Sequence, residues 1–120
     1  MSNGQEKRKY RRIEKPYIVK FRIRQYEGLE MFSTEWDMVP VRDISAGGLA
    51  FNYTKYLGFN SLLDFKIDIS QSTPTINCVG KIIRTDRPQP HSMCRIATEF
   101  TEIDKQEKEM INTTVKKVLV

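Results

Sequence analysis

The residue types that could do chemistry in this chain fall in two short stretches. Arg8 and Arg12 stand four apart in the basic run Lys7-Arg8-Lys9-Tyr10-Arg11-Arg12, and Asp43-Ile44-Ser45-Ala46-Gly47-Gly48 follows well downstream. A guanidinium is a planar fork of N–H donors that holds a phosphate bidentately and also fits the O6 and N7 acceptors of guanine. The acidic and hydroxyl turn supplies the reverse: a carboxylate that accepts N–H groups, and glycines where a backbone must come close. Lys7 and Arg11 add charge beside the two spaced arginines. Gly47-Gly48 could simply serve a turn that needs positive φ, a role compatible with ligand binding.

Other constellations are weaker. His91-Ser92-Met93-Cys94 places two metal-ligand types together, but the chain has one histidine and two cysteines. That falls short of the Cys and His sets of most structural zinc sites, so no metal is expected. Cys78 and Cys94 lie in alternating stretches and read as small core hydrophobes. They offer no disulfide framework, which fits a reducing cytoplasm. With no recognisable nucleophile and base, neither an enzyme nor a cofactor is expected. Trp36 and Phe100 read as core.

Composition sets the frame. With 120 residues, 39% hydrophobic and 29% charged, the chain suits one folded domain with a single core. The net charge of +5 favours an anionic partner, and much of the excess is concentrated in Lys7, Arg8, Lys9, Arg11, Arg12 and Lys15. No apolar stretch approaches the ~20 residues of a membrane span, and no signal-peptide core follows the polar start. A cytoplasmic location is the expectation.

The elements that must position these residues can be read from period. Residues 1–15 are polar, lack apolar period and read as a flexible arm; residues 16–120 read as the folded unit. From Tyr17, a period of two sets Val19, Phe21 and Ile23 against Lys20, Arg22 and Arg24, an amphipathic strand. Residues 25–33 read as a turn, and 34–44 as a second strand whose Pro40 implies an edge or a bulge. Further strands are expected over 49–54, 62–70, 75–85 and 93–101, with turns around Gly58 and Pro88. Beyond Asp104 the period becomes helical through Glu107, Met110, Ile111 and Val115. Asp104 and Glu107 have capping-box spacing. The pattern predicts an all-β fold with a C-terminal helix, a six-stranded antiparallel β-barrel.

The order R-x-x-x-R, strand, strand, D-x-S-x-x-G, strand resembles the PilZ domain family, whose members include receptors for cyclic di-GMP. The likeness covers residues 6 to about 116. Arg8 and Arg12 match the family's arginines before the first strand; Asp43, Ser45 and Gly48 match its second motif. Val79-Gly80-Lys81-Ile82-Ile83 is similar to its G-x-V strand. Ile96-Ala97-Thr98-Glu99-Phe100 is similar to its G-V-x-F strand, with Ala97 where glycine is common. The resemblance implies a cyclic di-GMP site at Arg8, Arg12, Asp43, Ser45 and Gly48, with Lys7, Arg11 and Gly47 as additional candidates. It also implies a receptor or adaptor whose arm rearranges on binding and signals to a separate protein partner.

Two other readings are open at this level. One is a small basic barrel that binds single-stranded nucleic acid through its cations, Tyr10 and Tyr17. The crowding of cations before one strand speaks against it, since such grooves spread cations and aromatics over a sheet face. The other is a PilZ-type adaptor that binds no ligand. The joint presence of both arginines, Asp43, Ser45 and Gly48 speaks against that.

Overall fold

A computed structural model of the chain describes residues 17–27, 29–30, 35–70 and 73–118. The strands are β1 (Ile18–Tyr26), β2 (Leu29–Glu30), β3 (Asp37–Ser45), β4 (Gly48–Tyr53), β5 (Leu62–Ile67), β6 (Ile76–Asp86) and β7 (Cys94–Glu102). One helix, α1 (Lys105–Val118), follows. Each long strand pairs antiparallel in the order β1-β3-β4-β7-β6-β5, and β5 returns to β1, closing six strands into a barrel. The two-residue β2 lies outside that ring. It pairs only with the end of β1, at Gln25↔Glu30 and Tyr26↔Leu29, within the stretch expected to be a turn. Glu27 makes this hairpin by adopting φ 50°, and its N–H donates to the Oγ of the fully buried Ser61 at 2.9 Å.

Alternation decides what enters the barrel. Val19 and Phe21 of β1, Leu63, Phe65 and Ile67 of β5, and Leu49 and Phe51 of β4 are buried, while the residues between them stay more exposed. Phe51 sits at the middle, 5.1 Å from the ring of Phe21 and 6.4 Å edge-on from that of Phe65. Each such side chain contributes about 1.5–3 kcal/mol by leaving water. Gly80 of β6 makes room for this packing, since a Cβ there would stand 2.6 Å from the Phe65 ring. Cys78 and Cys94 are both buried in the core. From α1, Ile111 is fully buried in the same cluster, with Met110 and Val115 packed against it.

Three expectations need adjustment. Trp36 is not in the core: it is half-buried on the outer face, its ring 4.6 Å from the Arg22 guanidinium and 4.6 Å from Lys66 Nζ. An aromatic ring beside outward-facing cations gains cation–π attraction without entering the barrel. Pro40 lies in the ring, opposite Ile18, at the point where β3 passes from β1 to β4 and just before a bulge between Val41 and Asp43. At the helix start, the Asp104 carbonyl accepts the first bond, from Lys108 N–H at 2.9 Å. Glu107 turns its carboxylate to Asn77 N–H at 3.4 Å, fastening α1 to the start of β6. Among the described residues, no helix is long and apolar enough to cross a membrane.

Candidate ligand-binding site

The D-x-S-x-x-G stretch is the hairpin that joins β3 to β4. Asp43 pairs with Ala50, Ile44 with Leu49 and Ser45 with Gly48, leaving Ala46 and Gly47 as the turn. The Gly47 N–H donates to Ser45 Oγ at 3.2 Å, a side-chain bond of the kind that fixes Ser in turns. The bulge before Asp43 re-aims the strand end, as bulges beside sites often do. Asp43 and Ser45 are exposed. Among the described residues, the Asp43 carboxylate has no ion-pair or hydrogen-bond partner and is free to accept from a ligand.

Neither glycine adopts left-handed φ; the reason for Gly48 is close approach instead. A Cβ there would lie 2.1 Å from the carbonyl oxygen of Thr98. The hairpin therefore presses on β7, where the Phe100 N–H donates to the Gly47 carbonyl at 2.9 Å and the Thr98 hydroxyl donates to the Leu49 carbonyl at 2.8 Å. Gly47 differs. A Cβ there would meet only Ser45 Oγ, at 3.8 Å.

Asp43, Ser45, Gly47 and Gly48 line one shallow depression of about 370 Å³. Its other walls come from β4, β6 and β7: Ala50, Ile83, Ala97 and Glu99. Among the described residues, no Lys or Arg lines it. Sequence reading missed these four because alternation identifies outward residues, whereas strand pairing decides which of them meet. Arg8, Arg12, Lys7 and Arg11 lie outside the described residues, as does the whole arm, 1–15.

A larger groove of about 730 Å³ runs beside Trp36, between the outer face of β1 and β5 and the start of α1. Its two arginines are matched by carboxylates, while Lys66 lies over the Trp36 ring. Asp64 lies 3.1 Å from Arg22 and 3.5 Å from Arg24, and Glu102 lies 3.5 Å from Arg24. Cys78 borders it, its thiol pushed up to about 12 by burial and by the nearby Glu107 carboxylate, so it stays neutral. Among the described residues, no group of three His, Cys, Asp or Glu is placed to hold a metal ion.

With this geometry in hand, comparison with known proteins is informative. No curated protein matches the chain. Among solved structures, that of the Bacillus subtilis inhibitor of motility (MotI/DgrA) is similar in fold, with a TM-score of 0.64 at 17% identity. The match covers 89% of this chain and 50% of that one, so the present chain spans about half the length of its structural relative. The PilZ domain model matches residues 6–117, running from the basic stretch through the hairpin into α1. The chain belongs to the PilZ domain family.

Proposed function

We propose that this protein is a cyclic di-GMP receptor that signals to a separate protein partner. One observation carries the reading: Asp43, Ser45 and Gly48 share a depression whose described lining offers acceptors and apolar surface. Such a wall suits a purine base with N–H donors. The phosphates call for cations, which Arg8 and Arg12 bring, since guanidiniums hold phosphates bidentately. In this mechanism the arm closes over the ligand, with Asp43, Ser45 and Gly48 as the opposite wall. The changed surface is what a partner reads. The name of the structural relative makes motility components a reasonable first class of partner to test.

The Trp36 face raises the nucleic-acid alternative, since it does place an aromatic among cations on a sheet. Asp64 and Glu102 outweigh that, because they already neutralise Arg22 and Arg24. Calorimetric titration with cyclic di-GMP, GTP and a single-stranded oligonucleotide decides between the readings. Binding of cyclic di-GMP alone, lost in Arg12→Ala, is expected. Tight oligonucleotide binding with none of the dinucleotide would overturn the proposal in favour of the alternative, and silence from all three would favour a ligand-free adaptor.

A further inference from the structure

The depression extends past the motif onto strands that the motif does not include. Strand register lines up Asp43 with Ala50, Ala50 with Ala97, and Ala97 with Arg84. Alternation turns Ala50 and Ala97 outward, since Leu49, Phe51, Ile96 and Thr98 beside them are buried. Two methyl groups in adjacent strands make a low, flat, apolar floor. On its far side a second bulge, between Ile82 and Arg84, throws Ile83 out of the ladder, 44% exposed. An isoleucine exposed at a bulge, in the wall of a depression, has no role in the core. Next to it on β7 stands Glu99, exposed and, among the described residues, without an ion-pair or hydrogen-bond partner.

Gly48 brings these parts together. Its missing side chain lets the hairpin descend onto Thr98 and Glu99, where a Cβ would stand 3.1 Å from the Glu99 Cα. The floor therefore has a carboxylate on each side, Asp43 from β3 and Glu99 from β7, with Ile83 as a ledge. A planar ring laid on Ala50 and Ala97 would have apolar contact below and beside it. Carboxylates could then accept from its edge. Guanine presents N1–H and N2–H donors together on one edge, whereas adenine lacks the N1–H and presents an acceptor there.

Building on the cyclic di-GMP reading, we propose that Ala50, Ala97 and Ile83 seat a guanine base and that Glu99, with Asp43, selects guanine over adenine. The selectivity then comes from two strands outside both motifs. An anionic pair of walls also repels the ligand's phosphates, which directs them away from the floor.

The experiment is calorimetric titration of the full chain and of Glu99→Ala, Ile83→Ala and Asp43→Asn with cyclic di-GMP and cyclic di-AMP, with melting temperatures recorded alongside. Glu99→Ala should weaken cyclic di-GMP binding by roughly tenfold or more, the loss of one charge-assisted bond, and narrow its preference over cyclic di-AMP. Ile83→Ala should weaken cyclic di-GMP by roughly three- to tenfold through lost contact area. Both positions are exposed, so melting temperature should stay near the parent's. If Asp43→Asn weakens binding while Glu99→Ala and Ile83→Ala keep parental affinity and selectivity, the base lies elsewhere and this inference fails while the receptor reading stands. If the parent binds no cyclic di-GMP, the receptor reading fails first and takes the base seat with it.

Discussion

At the scale of single residues, the motif glycines divide into two kinds. Gly48 has no space for a methyl group because the Thr98 carbonyl would be 2.1 Å away, whereas Gly47 has space. Gly48→Ala should therefore cost about 1–3 kcal/mol of stability through forced overpacking, and Gly47→Ala well under 1 kcal/mol, as a surface change does. Thermal melts of the two variants check this; equal melting temperatures would remove the close-approach explanation. The sequence showed that Asp, Ser and Gly stood in a turn between strands. It could not show which glycine was sterically required, because that depends on β7, some fifty residues further on. Ligand contacts predict a different signature. Arg8→Ala and Arg12→Ala should each lose about 1.5–3 kcal/mol per charge-assisted bond, or roughly 10- to 150-fold in affinity, with little change in melting temperature. Arg11→Ala should lose much less, since it is out of register with the pair. Parental binding by all three in calorimetry would refute the arginine assignment.

At the scale of elements, alternation made the long strands legible, and the helical period made α1 legible, with ends within about three residues. Which strands close the barrel was not legible. That β5 returns to β1 follows from complementary faces such as Phe21 opposite Phe65 and Arg22 opposite Asp64, which no local pattern reveals. Trp36 was misread for a related reason: a large aromatic beside a strand reads as core unless the cations that hold it outside are known to be its neighbours. The pairing of β6 with α1 carries a testable consequence. Cys78 is buried near Glu107, and its thiol is raised from an ordinary value of 9.0 to about 12. Folding thus favours the neutral thiol. Above the unfolded value the unfolded chain holds fewer protons than the folded one, so stability falls from about pH 9 until about pH 12. Tyr53, pushed up to about 12 by burial and by its 2.5 Å bond to Asp37, adds to the decline only from about pH 10. Denaturant melts across this range should show Cys78→Ala less stable at pH 7 but lacking the decline that sets in near pH 9, with a shallower slope from about pH 10. A slope unchanged by the substitution would place the alkaline sensitivity elsewhere.

At the scale of the whole molecule, charge is unevenly divided. Residues 1–16 hold six of the 20 Lys and Arg but only two of the 15 Asp and Glu, so four of the five net positive charges lie there. Among the described residues, the barrel's depression, in contrast, is lined by carboxylates and apolar groups with no cation. Neither half suits a dianionic dinucleotide alone: the arm would hold phosphates without reading a base, and the depression would accept base donors while repelling phosphates. In the proposed mechanism their union on one ligand would link binding to a change in the arm, and so let a domain of this size report occupancy to a partner. Apart from Tyr10, the arm up to Arg12 has no apolar side chain beyond Met1 with which to pack on the barrel unaided. Amide exchange over residues 5–14 should therefore be fast in the free protein and slow once cyclic di-GMP is added. The arginine variants should lose that protection along with affinity. Protection already present without ligand would end the ordering mechanism while leaving the binding site intact. Lys7 sets a finer question at the same scale. Two stacked ligand molecules would bring four phosphate charges, and a cation next to Arg8 would offset their repulsion. If Lys7 does this, the parent should bind two ligands per chain and Lys7→Ala closer to one. A stoichiometry of one in both proteins would make Lys7 simply a solvated member of the basic run.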